Sequence, residues 1–131
     1  MTKHCIISSI LFCFYMAAVG YLCFAKPDDI PQMPELWLGL PADKICHLLM
    51  FIPFPALAFG TFGHGISRPV YRIALLGILM ASGITLAVGT ELIQAHLAYR
   101  SAEKGDILAD AAGLAIGGLI TVCLIFYKKK K

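Results

Sequence analysis

Two short stretches hold most of the side chains able to do chemistry. Asp43, Lys44 and His47 lie in "ADKICH" at residues 42–47, and Glu91, Gln94, Arg100, Asp106 and Asp110 lie in "ELIQAHLAYRSAEKGDILAD" at 91–110. Carboxylates accept hydrogen bonds and attract cations, lysine and arginine take up anionic oxygens, and a histidine held among carboxylates is suited to moving a proton. These residues sit in a chain of 131 residues that is 59% hydrophobic and only 15% charged, with a mean hydropathy of +0.78. Whatever positions them is therefore apolar.

That composition exceeds the roughly 45–50% apolar content of ordinary soluble domains and marks an integral membrane protein. A span needs about 20 mostly apolar residues at about 1.5 Å each. Windows at about 5–24, 45–62, 73–97 and 107–127 come close. The first has no charge, the second contains only His47 among ionisable groups, and the fourth only Asp110. The expected fold is all-α: a single membrane domain over 1–131, built as a bundle of four transmembrane helices with no room for a soluble domain. The first window is read as a retained span, because its apolar run exceeds the roughly 7–15 residues of a secretion signal. Cys5, Cys13, Cys23, Cys46 and Cys123 all fall in spans with no C-x-x-C pair, and are read as small buried hydrophobes.

Lysine and arginine near span ends are retained on the cytoplasmic side. Lys3, Arg68, Arg72 and Lys128–Lys131 are seven of the eleven, while Lys26, Lys44, Arg100 and Lys104 lie on the opposite side. Both termini are thus expected in the cytoplasm, with the 25–42 and 98–106 loops outside, in the cytoplasmic (inner) membrane. The lysine tail is read as a topology anchor. All eight acidic residues then fall at the outer side. From Arg72 to Glu91 and from Lys128 to Asp110 is about 27–29 Å of helix, so both carboxylates are expected near the outer hydrocarbon boundary, level with Asp43 and His47.

Helical spacing lets these groups meet. Asp106, Asp110, Gly113 and Gly117 share one face of the fourth span. Gly83, Ala87 and Glu91 share one face of the third, and small residues at this spacing allow close packing; if these two faces meet, Glu91 comes near Asp106 and Asp110. Asp43 and His47 form a third polar edge. Clustered carboxylates at a poorly solvated depth repel, and Lys44 and Arg100 are the nearby cations to relieve them. A structural clasp between helices, with no ligand, is the plainer alternative.

The run from Glu91 to Gly117 has the pattern E-x-x-Q-x5-R-x5-D-x3-[N/D]-x-x-G-x3-G, and "ADKICH" supplies D-K-x-x-H at the start of a span. In this it resembles VanZ-like membrane proteins over about two-thirds of the chain. Ala98 and Tyr99 stand where that family often has Pro-Gly, Asp110 where Asn is common, and Leu48 where an aromatic is frequent. The resemblance implies a cell-envelope protein, since the founding member is associated with teicoplanin resistance. It implies no settled chemistry.

Four prolines between 27 and 41 prevent a long helix in the first outer loop, and Leu36, Trp37, Leu38 and Leu40 are expected as a short interfacial helix or re-entrant cap, with Trp37 at headgroup depth. Pro53 and Pro55 should kink the second span and free carbonyls near Leu49 and Phe51. His64 is read as a solvated loop residue and His96 as an interfacial one. No nucleotide-binding, zincin or serine-hydrolase motif is present. No nucleic-acid partner, cofactor or metal is assigned.

Three functions compete. The first is binding of a cell-envelope precursor, a lipid headgroup or an amphiphilic lipoglycopeptide antibiotic: Lys44, His47 and Arg100 contact anionic groups, and Glu91, Gln94, Asp106 and Asp110 orient them. The second is an intramembrane enzyme acting on a lipid-linked phosphate or headgroup, with Asp106, Asp110 and Glu91 holding a divalent cation and His47 as acid or base. An ion-coupled carrier ranks third, because carrier sites lie near the midplane.

Overall fold

An apolar stretch withdrawn from water must satisfy its own backbone, and a helix does so within the segment. The computed structural model describes residues 2–26, 36–98 and 104–129. Its helices are α1 (Lys3–Phe24), α2 (Ala42–Phe51), α3 (Pro53–Phe62), α4 (Pro69–Ala95) and α5 (Lys104–Lys129), and α2 with α3 forms one stretch. Four helical stretches, of 22, 21, 27 and 24 residues, are long and apolar enough to cross a membrane.

The helix starts lie ahead of the apolar windows because polar first turns are still helical. α2 begins at Ala42, with Asp43 in its first turn, and α5 has Asp106 there. Carboxylates at these positions face the positive end of the helix dipole. α4 begins at Pro69, whose fixed φ suits a first helical position. It ends at Ala95, two residues short of the expected boundary.

The Leu36–Leu40 run corrects the expected short helix. Leu36–Trp37 (β1) and Leu40–Pro41 (β2) pair antiparallel, with Leu36 opposite Pro41 and Trp37 opposite Leu40. Leu38 and Gly39 form the turn with φ of 54° and 78°. Two successive positive φ values match the twist of a tight hairpin, and Gly39 adopts one freely. The hairpin feeds directly into α2.

The second stretch is interrupted at Ile52, whose φ of −58° and ψ of −44° remain helical, so the proline pair removes ladder donors without unwinding the chain. The nearby Met50 carbonyl accepts a hydrogen bond from the Tyr15 hydroxyl at 2.6 Å, which ties α1 to this bend. Phe12 adds ring contacts to Phe54 and Phe62 at 6.0 and 5.9 Å.

Pairwise contacts set the helix directions. Cys5 at the start of α1 lies against Thr61 at the end of α3, and Gln94 at the end of α4 reaches Cys23 at the end of α1. α2–α3 and α5 run together, and α1 and α4 run against them. One end of the bundle gathers the start of α2, the end of α4 and the start of α5. The other gathers the start of α1, the α3–α4 turn and the end of α5. Phe51, Phe54, Ala58, Leu76, Leu79 and Leu114 are among the side chains packed in the core, while many large apolar side chains, such as Phe14, Ile78 and Leu119, face outward. An apolar exterior of this kind fits a lipid surrounding.

The glycine stripe of α5 packs on α2–α3 and not on the Gly83–Ala87 face of α4. A Cβ at Gly113 would overlap the Leu48 carbonyl, and one at Gly117 would overlap the Ile52 carbonyl and lie 2.9 Å from Pro55 Cδ. Gly113 and Gly117 thus admit the backbone of α2–α3. Gly83 of α4 instead meets Leu114, and its added Cβ would lie 3.0 Å from Phe54. The α5 face bearing Asp106 and Asp110 is claimed by the cationic side chains of α2, and the glycines on that face follow. Gly113→Val is expected to destabilise the fold by about 2 kcal/mol or more through overlap with backbone. Gly77→Ala in α4, whose added Cβ meets nothing within 4 Å, is expected to gain about 0.5 kcal/mol from helix propensity. Unfolding in detergent measures both, and equal effects would refute the close seam.

Candidate functional site

Lys44 and His47 are three residues apart on α2, and Asp106 and Asp110 four apart on α5, so each pair lies on one helix face. Because α2 and α5 run together, the two pairs meet level by level. Lys44 Nζ pairs with Asp106 Oδ1 and donates to Asp43 Oδ2 at 3.2 Å. One turn deeper, His47 Nδ1 lies 2.8 Å from Asp110 Oδ1, while His47 Nε2 is 3.6 Å from Asp106 Oδ2. The imidazole therefore stands between two carboxylates, hydrogen-bonded to the inner one and within charge range of the outer one.

Burial grades along this network. The side chain of Asp43 is 56% exposed, that of Lys44 23%, that of Asp106 8%, and that of Asp110 not at all. Lys44 marks the boundary between solvent and bundle. Its stem crosses the first turn of α5 at Gly105, where an added Cβ would lie 2.8 Å from Lys44 Cε. A side chain there would require the end of the Lys44 stem to shift.

An ionised Asp110 only accepts hydrogen bonds, so His47 presents its Nδ1 proton to it and turns Nε2 toward Asp106. Carboxylate and imidazole together form the pair that orients a general acid or base. Asp110 Oδ2 is shut off from solvent and has no hydrogen-bond partner among the described residues. Glu91 is buried on α4 and near enough for its charge to act on His47. Three helices thus supply ionisable groups to one end of the bundle.

Gln94 is buried and donates to the Cys23 carbonyl at 2.8 Å, so it fastens the end of α4 to the last turn of α1. Arg100 lies outside the described residues. His96 is exposed, with Nδ1 2.8 Å from the Leu92 carbonyl of its own helix, and His64 is exposed in the α3–α4 turn. Ala87 is buried in the core beside Gly83. None of the five cysteines forms a disulfide; Cys5 and Cys23 are buried, whereas Cys13 and Cys123 are exposed, which corrects their reading as buried residues. Among the described residues no group of three His, Cys, Asp or Glu side chains is arranged to hold a metal ion. Asp106 and Asp110 are turned toward Lys44 and His47 instead.

Sequence reasoning overlooked two supports of this site. Tyr15 comes from the charge-free first window, where a single mid-span hydroxyl was the available signal. Gly105 looked like a loop residue, yet it is the second helical position of α5, and the Lys44 stem lies across it.

No family model matches the chain, and no solved structure matches it. It is similar to an uncharacterized protein of Schizosaccharomyces pombe, with 24% identity over 120 residues that cover 92% of this chain and 64% of the relative. The chain therefore spans a little under two-thirds of that relative's length.

Removing one partner from a buried ion pair leaves the other uncompensated. His47→Ala is expected to destabilise the protein by about 3 kcal/mol or more, whereas Asp43→Ala at the exposed rim should change stability by less than about 1 kcal/mol. Unfolding of each variant in detergent tests the gradient, and a larger loss at Asp43 than at His47 would contradict it.

Proposed function

We propose that this chain is a VanZ-like multi-pass protein of the cytoplasmic membrane, with both termini in the cytoplasm, that binds the polar headgroup of an amphiphile just beneath the outer surface. The occupant is a lipid headgroup, a lipid-linked cell-envelope precursor or an amphiphilic antibiotic of the lipoglycopeptide kind. The observation that carries this reading is the paired network Lys44–Asp106 and His47–Asp110, drawn from two helices to one end of an otherwise apolar bundle. The skew of lysine and arginine supports the orientation, and the spacing from Glu91 to Gly117 supports the family.

Lys44 is the contact residue. Its ammonium is a compact charge on a flexible stem, partly open to solvent and shared by two carboxylates. An incoming phosphate or carboxylate takes the place of Asp43, while Asp106 keeps the ammonium aimed along the mouth of the site. Acyl chains of the same molecule lie along the apolar outer faces of the helices. His47, held by Asp110, closes the floor with a proton that a deeper acceptor oxygen of the ligand can share.

One observation favours a catalytic variant of this site. A histidine hydrogen-bonded to a buried carboxylate is the arrangement that positions an acid or base, and at this location it would act on a lipid-linked phosphate or headgroup. An ion-coupled carrier is the weakest reading, because the ionisable groups gather at one end.

Lys44→Met is expected to weaken binding of an anionic amphiphile to the purified protein by about tenfold or more, the weight of one charge-assisted hydrogen bond. Asp43→Asn should preserve binding. Titration with phosphatidylglycerol, a lipid-linked pyrophosphate and teicoplanin in turn separates the occupants. Unaltered affinity of the Lys44→Met protein for all three would refute the binding reading. A change in envelope lipids that requires His47 would favour the catalytic one.

A further inference from the structure

The other end of the bundle is basic and has no acid of its own. Residues 1–27, 44–90 and 111–131 contain no Asp or Glu, and they include Lys3, Arg68, Arg72 and the terminal lysines. Arg72 stands in the first turns of α4, half-buried, with its guanidinium carbon 5.5 Å from the centre of the Phe59 ring. Its Nε is shut off from solvent and has no hydrogen-bond partner among the described residues. Arg68 precedes it by one helical turn and is exposed as the residue that caps α4, with no side-chain hydrogen bond at that cap.

A guanidinium has five donors and no means of shedding its charge, so a partly desolvated one without an acceptor is incomplete. No Asp or Glu lies near it in sequence and no described residue accepts from its Nε, which leaves the group open to an anionic acceptor from outside the chain. The cation–π contact with Phe59 holds the guanidinium in place, and its outer donors can make paired contacts with anionic oxygens. The positive end of the α4 dipole adds to the attraction. The neighbouring Val70, Tyr71 and Phe62 are exposed and apolar or aromatic, a surface that suits acyl chains and the headgroup boundary.

We infer that Arg72 and Arg68, with Phe59 as the backing ring, form a binding site for the phosphate of an anionic lipid at the end of the bundle opposite Asp106 and Asp110. This site does not depend on the function proposed for the other end. The ligand shares its phosphate with the free ion, but the adjoining apolar surface favours the lipid.

Native mass spectrometry of the full chain, released from bilayer discs holding equal amounts of phosphatidylglycerol and phosphatidylcholine, tests it. Wild type should retain phosphatidylglycerol in preference. Arg72→Met, which keeps an apolar contact with Phe59, should lower that retention about fivefold, the weight of one basic side chain at an anionic surface. Arg68→Gln, at an exposed position that tolerates replacement, should lower it about twofold even if Arg72→Met fails to fold. Lys104→Met at the opposite end should behave as wild type. Equal retention of the two lipids, or phosphatidylglycerol retention unchanged in both arginine variants, would overturn the inference. So would complete displacement of the lipid by excess inorganic phosphate, which would make this a site for the free ion.

Discussion

A carboxylate carried into an apolar bundle must be neutralised by a partner, and the burial of Asp110 makes this the governing constraint of the structure. Its partner is His47, and their contact sets which face of α5 receives α2. Once His47 and Lys44 are aligned with Asp110 and Asp106, α2–α3 must run along α5 at close range. Gly113 and Gly117 make that approach sterically feasible, because their missing side chains admit the Leu48 and Ile52 carbonyls. Polar pairing at one end and small-residue packing below it are thus two parts of one helix interface.

The bend in the second stretch belongs to the same interface. Pro53 and Pro55 interrupt the ladder at the level where α2–α3 passes Gly117, and the Tyr15 hydroxyl takes up the Met50 carbonyl there. α1 is joined to the rest through this bond, through Phe12 and through the hydrogen bond from Gln94 to Cys23. Most of its remaining surface faces outward, since only 11% of its apolar window is buried, compared with 33% for α5. The weight of the architecture therefore rests on α2–α3, α4 and α5, the helices that carry the ionisable cluster.

The bundle is electrically polarised along its length. Carboxylates and their partners gather where α2 and α5 begin, and arginines stand where α3 turns into α4. At the first end Lys44 and His47 are already engaged by carboxylates, so an anionic ligand has to exchange with an existing partner. At the second end Arg72 has no counter-charge among the described residues. The proposed headgroup site and the inferred phosphate site therefore differ in kind: one is a network that opens by substitution, the other a basic patch whose Arg72 Nε lacks a partner among the described residues.

Much of this was legible in the residues alone. Four apolar runs of span length dictate four helices, because backbone groups away from water have no better solution. The four-residue spacings of Asp106 with Asp110 and of Asp43 with His47 placed each pair on one helix face before any packing was known, but it is Lys44 and not the exposed Asp43 that joins His47 against α5. Local physics of this kind depends on sequence distance, which is visible. Which faces meet depends on distances across the bundle, which are not. Gly113 and Gly117 were equally able to receive α4 or α2–α3, and only the cross-helix pairing of Asp110 with His47 decided between them. The turn at Leu38 and Gly39, the role of Gly105 beneath Lys44 and the reach of Tyr15 to Met50 were hidden for the same reason. Each is a consequence of what another segment of chain brings to that place.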